Sequence, residues 1–83
     1  MTNTHLNNLV KTLTEIKDPR EMRTFLKMIL TPKEVTEIPK RLEIFNQLQK
    51  GIPQRTIADK LNVGIATITR GSLELQRNKN WSA

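Results

Sequence analysis

The side chains best placed to do chemistry lie between Gln54 and Arg70, in the run Gln-Arg-Thr-Ile-Ala-Asp-Lys-Leu-Asn-Val-Gly-Ile-Ala-Thr-Ile-Thr-Arg. Thr67, Thr69 and Arg70 fall on the polar side of a short helix, and Arg55 and Lys60 fall on the helix before it. Hydroxyls and fixed cations arranged this way donate to anionic oxygens, so a polyanion is the natural partner. Catalysis has far less to work with. The one histidine, His5, sits in a polar stretch, there is no cysteine, and no glycine-rich phosphate loop occurs. Pairs at helical spacing, Asp18/Glu21 and Glu34/Glu37, are explained by capping and surface charge. The residues point away from an enzyme, and no metal-spaced cluster is present.

Charge distribution supports the same reading. The 83-residue chain carries a net charge of +6. Residues 1–38 are nearly balanced, whereas residues 39–83 hold eight basic groups against Glu43, Asp59 and Glu74. A basic face on one half favours nucleic acid first and an anionic membrane second. No stretch approaches the ~20 apolar residues of a membrane span, and the N-terminus lacks an apolar signal core, so a cytoplasmic protein is expected. A solvated basic face on a small helical adaptor for acidic proteins is the alternative from another class.

The elements that position these residues are helical throughout. Leu6, Leu9, Val10, Leu13 and Ile16 form one apolar stripe. Asp18-Pro19-Arg20-Glu21 and Thr31-Pro32-Lys33-Glu34 are helix starts, each with a cap, a first-turn proline and a glutamate three residues on. The second helix is expected to bury Met22, Phe25, Leu26 and Ile29. Pro39 predicts a kink or break in the third, before a straighter stretch burying Leu42, Ile44, Phe45 and Leu48 and closed by Gly51. Two short helices then follow. Ala58 suits a close crossing, Asn62 tolerates the left-handed turn, and Ile57, Leu61, Val63, Ile65 and Ile68 anchor the pair. Pro53 is expected to start the first helix and Gly71 to end the second. This is a helix-turn-helix, whose second helix enters the DNA major groove.

The segment Gly64-Ile-Ala-Thr-Ile-Thr-Arg-Gly-Ser72 resembles the recognition helix of the tryptophan repressor family. Leu30-Thr31-Pro32, Arg41, Gly51 and Gln54-Arg55 also match, so the likeness covers about Leu30 to Ser72, with a one-residue deletion near Ile52-Pro53. The resemblance implies an all-α, intertwined homodimer that represses transcription by binding double-stranded operator DNA, with L-tryptophan as corepressor and no other cofactor. It implies one domain over 1–83: a dimerisation core at 1–51, the helix-turn-helix at 52–72 and a short tail at 73–83, where the family's final helix is reduced. The same tail carries Trp81, which either covers the core or frays.

Residue by residue, the resemblance places the corepressor's indole between Arg41 and Arg70. Arg70 also takes its carboxylate, helped by Thr31, with Gly71 beside the pocket. Phe45 stands where the family has a smaller apolar residue, and Glu74 replaces a small polar residue near the ligand's amino group. Arg55 matches a base-contacting arginine, suited to guanine O6 and N7. Ile65, Ala66 and Thr69 match the residues nearest the bases, and Gln54, Thr67 and Ser72 suit phosphate or water-bridged contacts. Lys60 is a further phosphate contact. Ala58 falls where the family carries a basic residue. The alternative within the family is a DNA-binding regulator without a tryptophan response, its pocket filled by Phe45.

Overall fold

The computed structural model describes residues 3–82 and is helical, with no strand among them. Its five helices are α1 (Thr4–Glu15), α2 (Pro19–Ile29), α3 (Pro32–Gln49), α4 (Gln54–Leu61) and α5 (Ile65–Arg77). The polar N-terminal residues Met1 and Thr2, and Ala83 at the end of the expected tail, lie outside the described residues. The chain divides between Val35 and Thr36 into two units.

In the first unit, each helix start is built by a side chain that satisfies backbone donors with no helical partner. The Asn3 side-chain Oδ1 accepts the Leu6 N–H at 3.0 Å, and the Asp18 carboxylate accepts the Arg20 N–H at 3.0 Å. At α3 the box is reciprocal: the Glu34 N–H donates to Thr31 Oγ1 at 3.2 Å, and the Thr31 N–H donates to Glu34 Oε1 at 2.9 Å. Those bonds hold the Glu34 carboxyl below its usual pKa, chiefly through the Thr31 backbone. Neither α1 nor α2 contains a buried residue. Leu26 and Ile29, expected inside, are exposed with Met28, while Met22 and Phe25 are half-buried. The apolar stripe is real, but this chain leaves it largely uncovered.

The second unit has a small core of Ile44, Ile57, Ala58 and Ile68, with Leu48, Ile52, Leu61 and Val63 packed around it. Leu42 is exposed, contrary to expectation, and Ile44 is the residue of that stretch driven fully inside. The helix assignment runs through Pro39 without interruption, although that residue has no N–H to give the preceding turn. Gly51, at φ +79°, closes α3.

Gly71 corrects the reading of the last helix. It does not end α5, which continues to Arg77, so residues 73–77 of the expected tail are helical. A Cβ at Gly71 would lie 3.1 Å from Ile44 Cγ2 and 3.6 Å from Phe45 Cε1. Here α3 passes so close that even a methyl group would require Ile44 to shift by a few tenths of an ångström.

Candidate nucleic-acid interface and ligand groove

The turn between α4 and α5 rests on Asn62, at φ 55° and ψ 50°, the left-handed conformation that its short amide side chain tolerates. The Asn62 and Val63 N–H groups both donate to the Ala58 carbonyl, so the turn is closed by the backbone itself. Ala58 is small enough for the helices to cross, and Ile57 and Ile68 meet with no exposed surface. That core sets the angle at which α5 is presented.

A polar tie adds to it. Thr69 Oγ1 lies 3.0 Å from Gln54 Oε1 and 3.1 Å from the Ile65 carbonyl, and its single proton serves both acceptors. The Gln54 amide is therefore held with its oxygen toward Thr69. Arg55, Lys60, Ile65, Ala66, Thr67 and Thr69 are exposed, and Ser72 is half-buried. Ala66 and Thr67, read as DNA-facing, also line a groove at the side of α5.

That groove, about 890 Å³, lies between α3 and α5. It brings together Arg41, Phe45, Arg70, Gly71 and Glu74, five of the six residues singled out for a ligand. The sixth, Thr31, belongs to the first unit, where it is engaged in the capping box. Ile44 and Phe45 give the groove apolar walls, and Gly71 lets α3 and α5 come close beside it. Sequence reasoning missed Glu37 and Lys40, which also line it. They stand four and one residues before Arg41 on α3, and the i, i+4 spacing was the available signal for Glu37. Three cations and two carboxylates thus edge an apolar cleft, which suits a ligand carrying an aromatic body and both signs of charge. Glu74 accepts from Arg77 Nη1 at 3.1 Å in an exposed pair, of little energetic weight.

Also on α3, buried Gln47 donates from Nε2 to Glu43 Oε2 at 2.8 Å. That bond, aided by Asn46 and the nearby charges of Lys50 and Lys60, keeps the Glu43 carboxyl below its usual pKa despite desolvation. An ionised Glu43 offsets part of the cationic face beside Lys60. Among the described residues no group of histidine, cysteine, aspartate and glutamate could hold a metal, and no helix is long and apolar enough to cross a membrane.

A helix-turn-helix whose second helix also walls a charged groove defines the class: a helix-turn-helix protein with a built-in cleft. The chain belongs to the Trp repressor protein family, whose sequence pattern matches residues 4–81. It is 47% identical over 72 residues to a Trp operon repressor homolog of Vibrio atlanticus (strain LGP32), covering 86% of this chain and 70% of that protein. A homolog of the same name from Actinobacillus succinogenes is 44% identical over 70 residues, covering 82% and 68%. One from Xylella fastidiosa (strain M23) is 38% identical over 71, covering 84% and 77%. No solved structure gives a significant match. The family is one of transcriptional regulators and not of enzymes, and the all-α fold is that of the Trp repressor.

Proposed function

We propose that this chain is a tryptophan-activated repressor that binds operator DNA as a homodimer. The observation that carries the reading is the double use of α5: Arg70 and Gly71 line the groove on the helix that carries Ile65 and Thr69 toward DNA. An occupant of the groove therefore touches the reading element directly. Arg41 and Arg70 supply guanidinium planes for an indole, each stack contributing ~0.5–2 kcal/mol, and Arg70 a charge-assisted bond to a carboxylate. Glu74 and Glu37 are the carboxylates of the groove lining that an ammonium would meet. Thr31, whose Oγ1 accepts the Glu34 N–H, keeps its hydroxyl proton and is assigned to the same ligand carboxylate as Arg70.

The open groove supports the tryptophan reading over the alternative in which Phe45 fills the site, because Phe45 lines it and leaves about 890 Å³. That size falls within the usual range of small-molecule sites. Gating follows from linkage. A ligand that holds α5 in its DNA-competent pose binds that pose more tightly, and DNA must then tighten ligand binding by the same factor. Dimerisation is supported by uncovered apolar faces: Leu6 and Val10 on α1 and Ile29 on α2 are all at least half exposed, which an apolar helix face in water does not favour. In a dimer the two α5 helices would sit about one DNA turn (~34 Å) apart. For DNA, Arg55 is assigned to a guanine edge, Ile65, Ala66 and Thr69 to the bases, and Gln54, Thr67, Ser72 and Lys60 to phosphates or water. Calorimetry of the purified chain with L-tryptophan tests the ligand assignment. Heat of binding that disappears in Arg41→Ala and Arg70→Ala is expected; binding unchanged in both would overturn it.

A further inference from the structure

The groove has an annex that neither the helix-turn-helix nor the ligand contacts use. A second cavity of about 290 Å³ is lined by Phe45, Glu74, Leu75, Asn78 and Trp81, so Phe45 and Glu74 are walls common to both spaces. On the annex side the Trp81 indole meets the Phe45 ring edge to face, with centroids 5.6 Å apart and planes at 65°. The backbone around Trp81 is tied down at several points. Gln49 Nε2 donates to the Trp81 carbonyl at 2.8 Å across 32 residues of chain, and the Trp81 N–H donates to the Asn78 carbonyl at 3.0 Å. Asn78 Nδ2 in turn donates to the Glu74 carbonyl at 2.8 Å, anchoring the turn to α5.

Phe45 is only half-buried and lines both spaces, so its ring stands as the partition between groove and annex. The chain has three aromatic residues in all, two phenylalanines and Trp81. We propose that Trp81 is a positioning residue of the groove, its indole holding the Phe45 ring in place as the groove wall and so setting the width of the cleft. The tail is thereby a working part of the ligand site. The effect on ligand affinity rests on the tryptophan reading above; the packing of Phe45 does not.

The experiment uses the full chain with ring-labelled phenylalanine, as wild type, Trp81→Ala and Trp81→Phe. In the wild type, nuclear Overhauser contacts between the Phe45 ring and the Trp81 indole are expected. Trp81→Ala should displace the Phe45 resonances, Trp81→Phe should largely restore them, and Phe25 should stay unmoved in both. By calorimetry, Trp81→Ala should bind L-tryptophan about three- to tenfold more weakly, the range of one lost aromatic pair, and Trp81→Phe within about twofold of wild type. Should the alanine variant fail to fold, Trp81→Leu keeps apolar bulk without a ring edge and carries the same expectation. Phe45 resonances that ignore the loss of the indole, or ligand affinity unchanged in Trp81→Ala, would overturn the proposal. A wild type with no tryptophan affinity removes the ligand reading alone. The Phe45 resonances then decide, displacement supporting the positioning role and constancy refuting it.

Discussion

Gly71→Ala separates two opposing effects that the structure lets us weigh. In a helix interior alanine is better than glycine by about 1 kcal/mol, so a substitution judged on propensity alone should stabilise α5. Against that, the new methyl meets Ile44 Cγ2 at 3.1 Å, closer than ordinary van der Waals contact. Ile44 is 2% exposed and packed in the core with Ile57 and Ile68, so it has little room to yield. Overpacking of this kind costs about 1–3 kcal/mol. The expected net is a loss of about 1 kcal/mol, or roughly 5 °C in melting temperature for a chain this size. Thermal melts at fixed protein concentration measure it, since association would shift the midpoint with concentration. The cycle with Ile44→Ala isolates the contact: once Cγ2 is gone, the same substitution should become neutral or stabilising. A Gly71→Ala variant as stable as wild type, or one equally harmful in both backgrounds, would refute the close-approach account.

Three further outcomes are expected. Arg55→Ala should relax base preference in a gel-shift selection, whereas Lys60→Ala should weaken binding evenly across sequences and lower the salt slope by about 1. The depressed pKa of Glu34 makes the capping box sensitive to acid. Folded Glu34 binds its proton less readily than the unfolded chain does, so its contribution is complete above the unfolded value near 4.5 and lost as pH falls through the lower folded value. Glu34→Gln should therefore flatten the acid limb of a stability-against-pH curve, and an unaltered limb would remove that role. Thr69→Val should weaken DNA binding by freeing Gln54, with the fold retained as judged by circular dichroism.

What was legible in the sequence was what is local. Caps at Asp18 and Thr31, the left-handed turn at Asn62, the stop at Gly51 and the anchors Ile57 and Ile68 are dictated within a few residues, and each stands as read. Gly71 was misread because a glycine near a helix end resembles a cap, and only the passage of α3 explains it. Leu26, Ile29 and Leu42 have the spacing of core residues yet are exposed, since periodicity shows that a face is apolar and not what covers it. The groove residues Arg41, Phe45, Arg70, Gly71 and Glu74 came from a family resemblance. Glu37 stands four residues before Arg41, a spacing that was there to be read, whereas Lys40 in the groove and the packing of Trp81 on Phe45 depend on how α3, α5 and the tail meet, which no local pattern encodes.

The most direct test of gating is DNA affinity measured with and without L-tryptophan at one salt concentration. Duplexes selected from genomic fragments serve as operator, with a scrambled duplex as reference. Saturating tryptophan should tighten specific binding by about 5- to 150-fold, the usual span of allosteric coupling, and leave the scrambled duplex nearly unaffected. Equal specific affinity in both conditions would contradict ligand gating through α5.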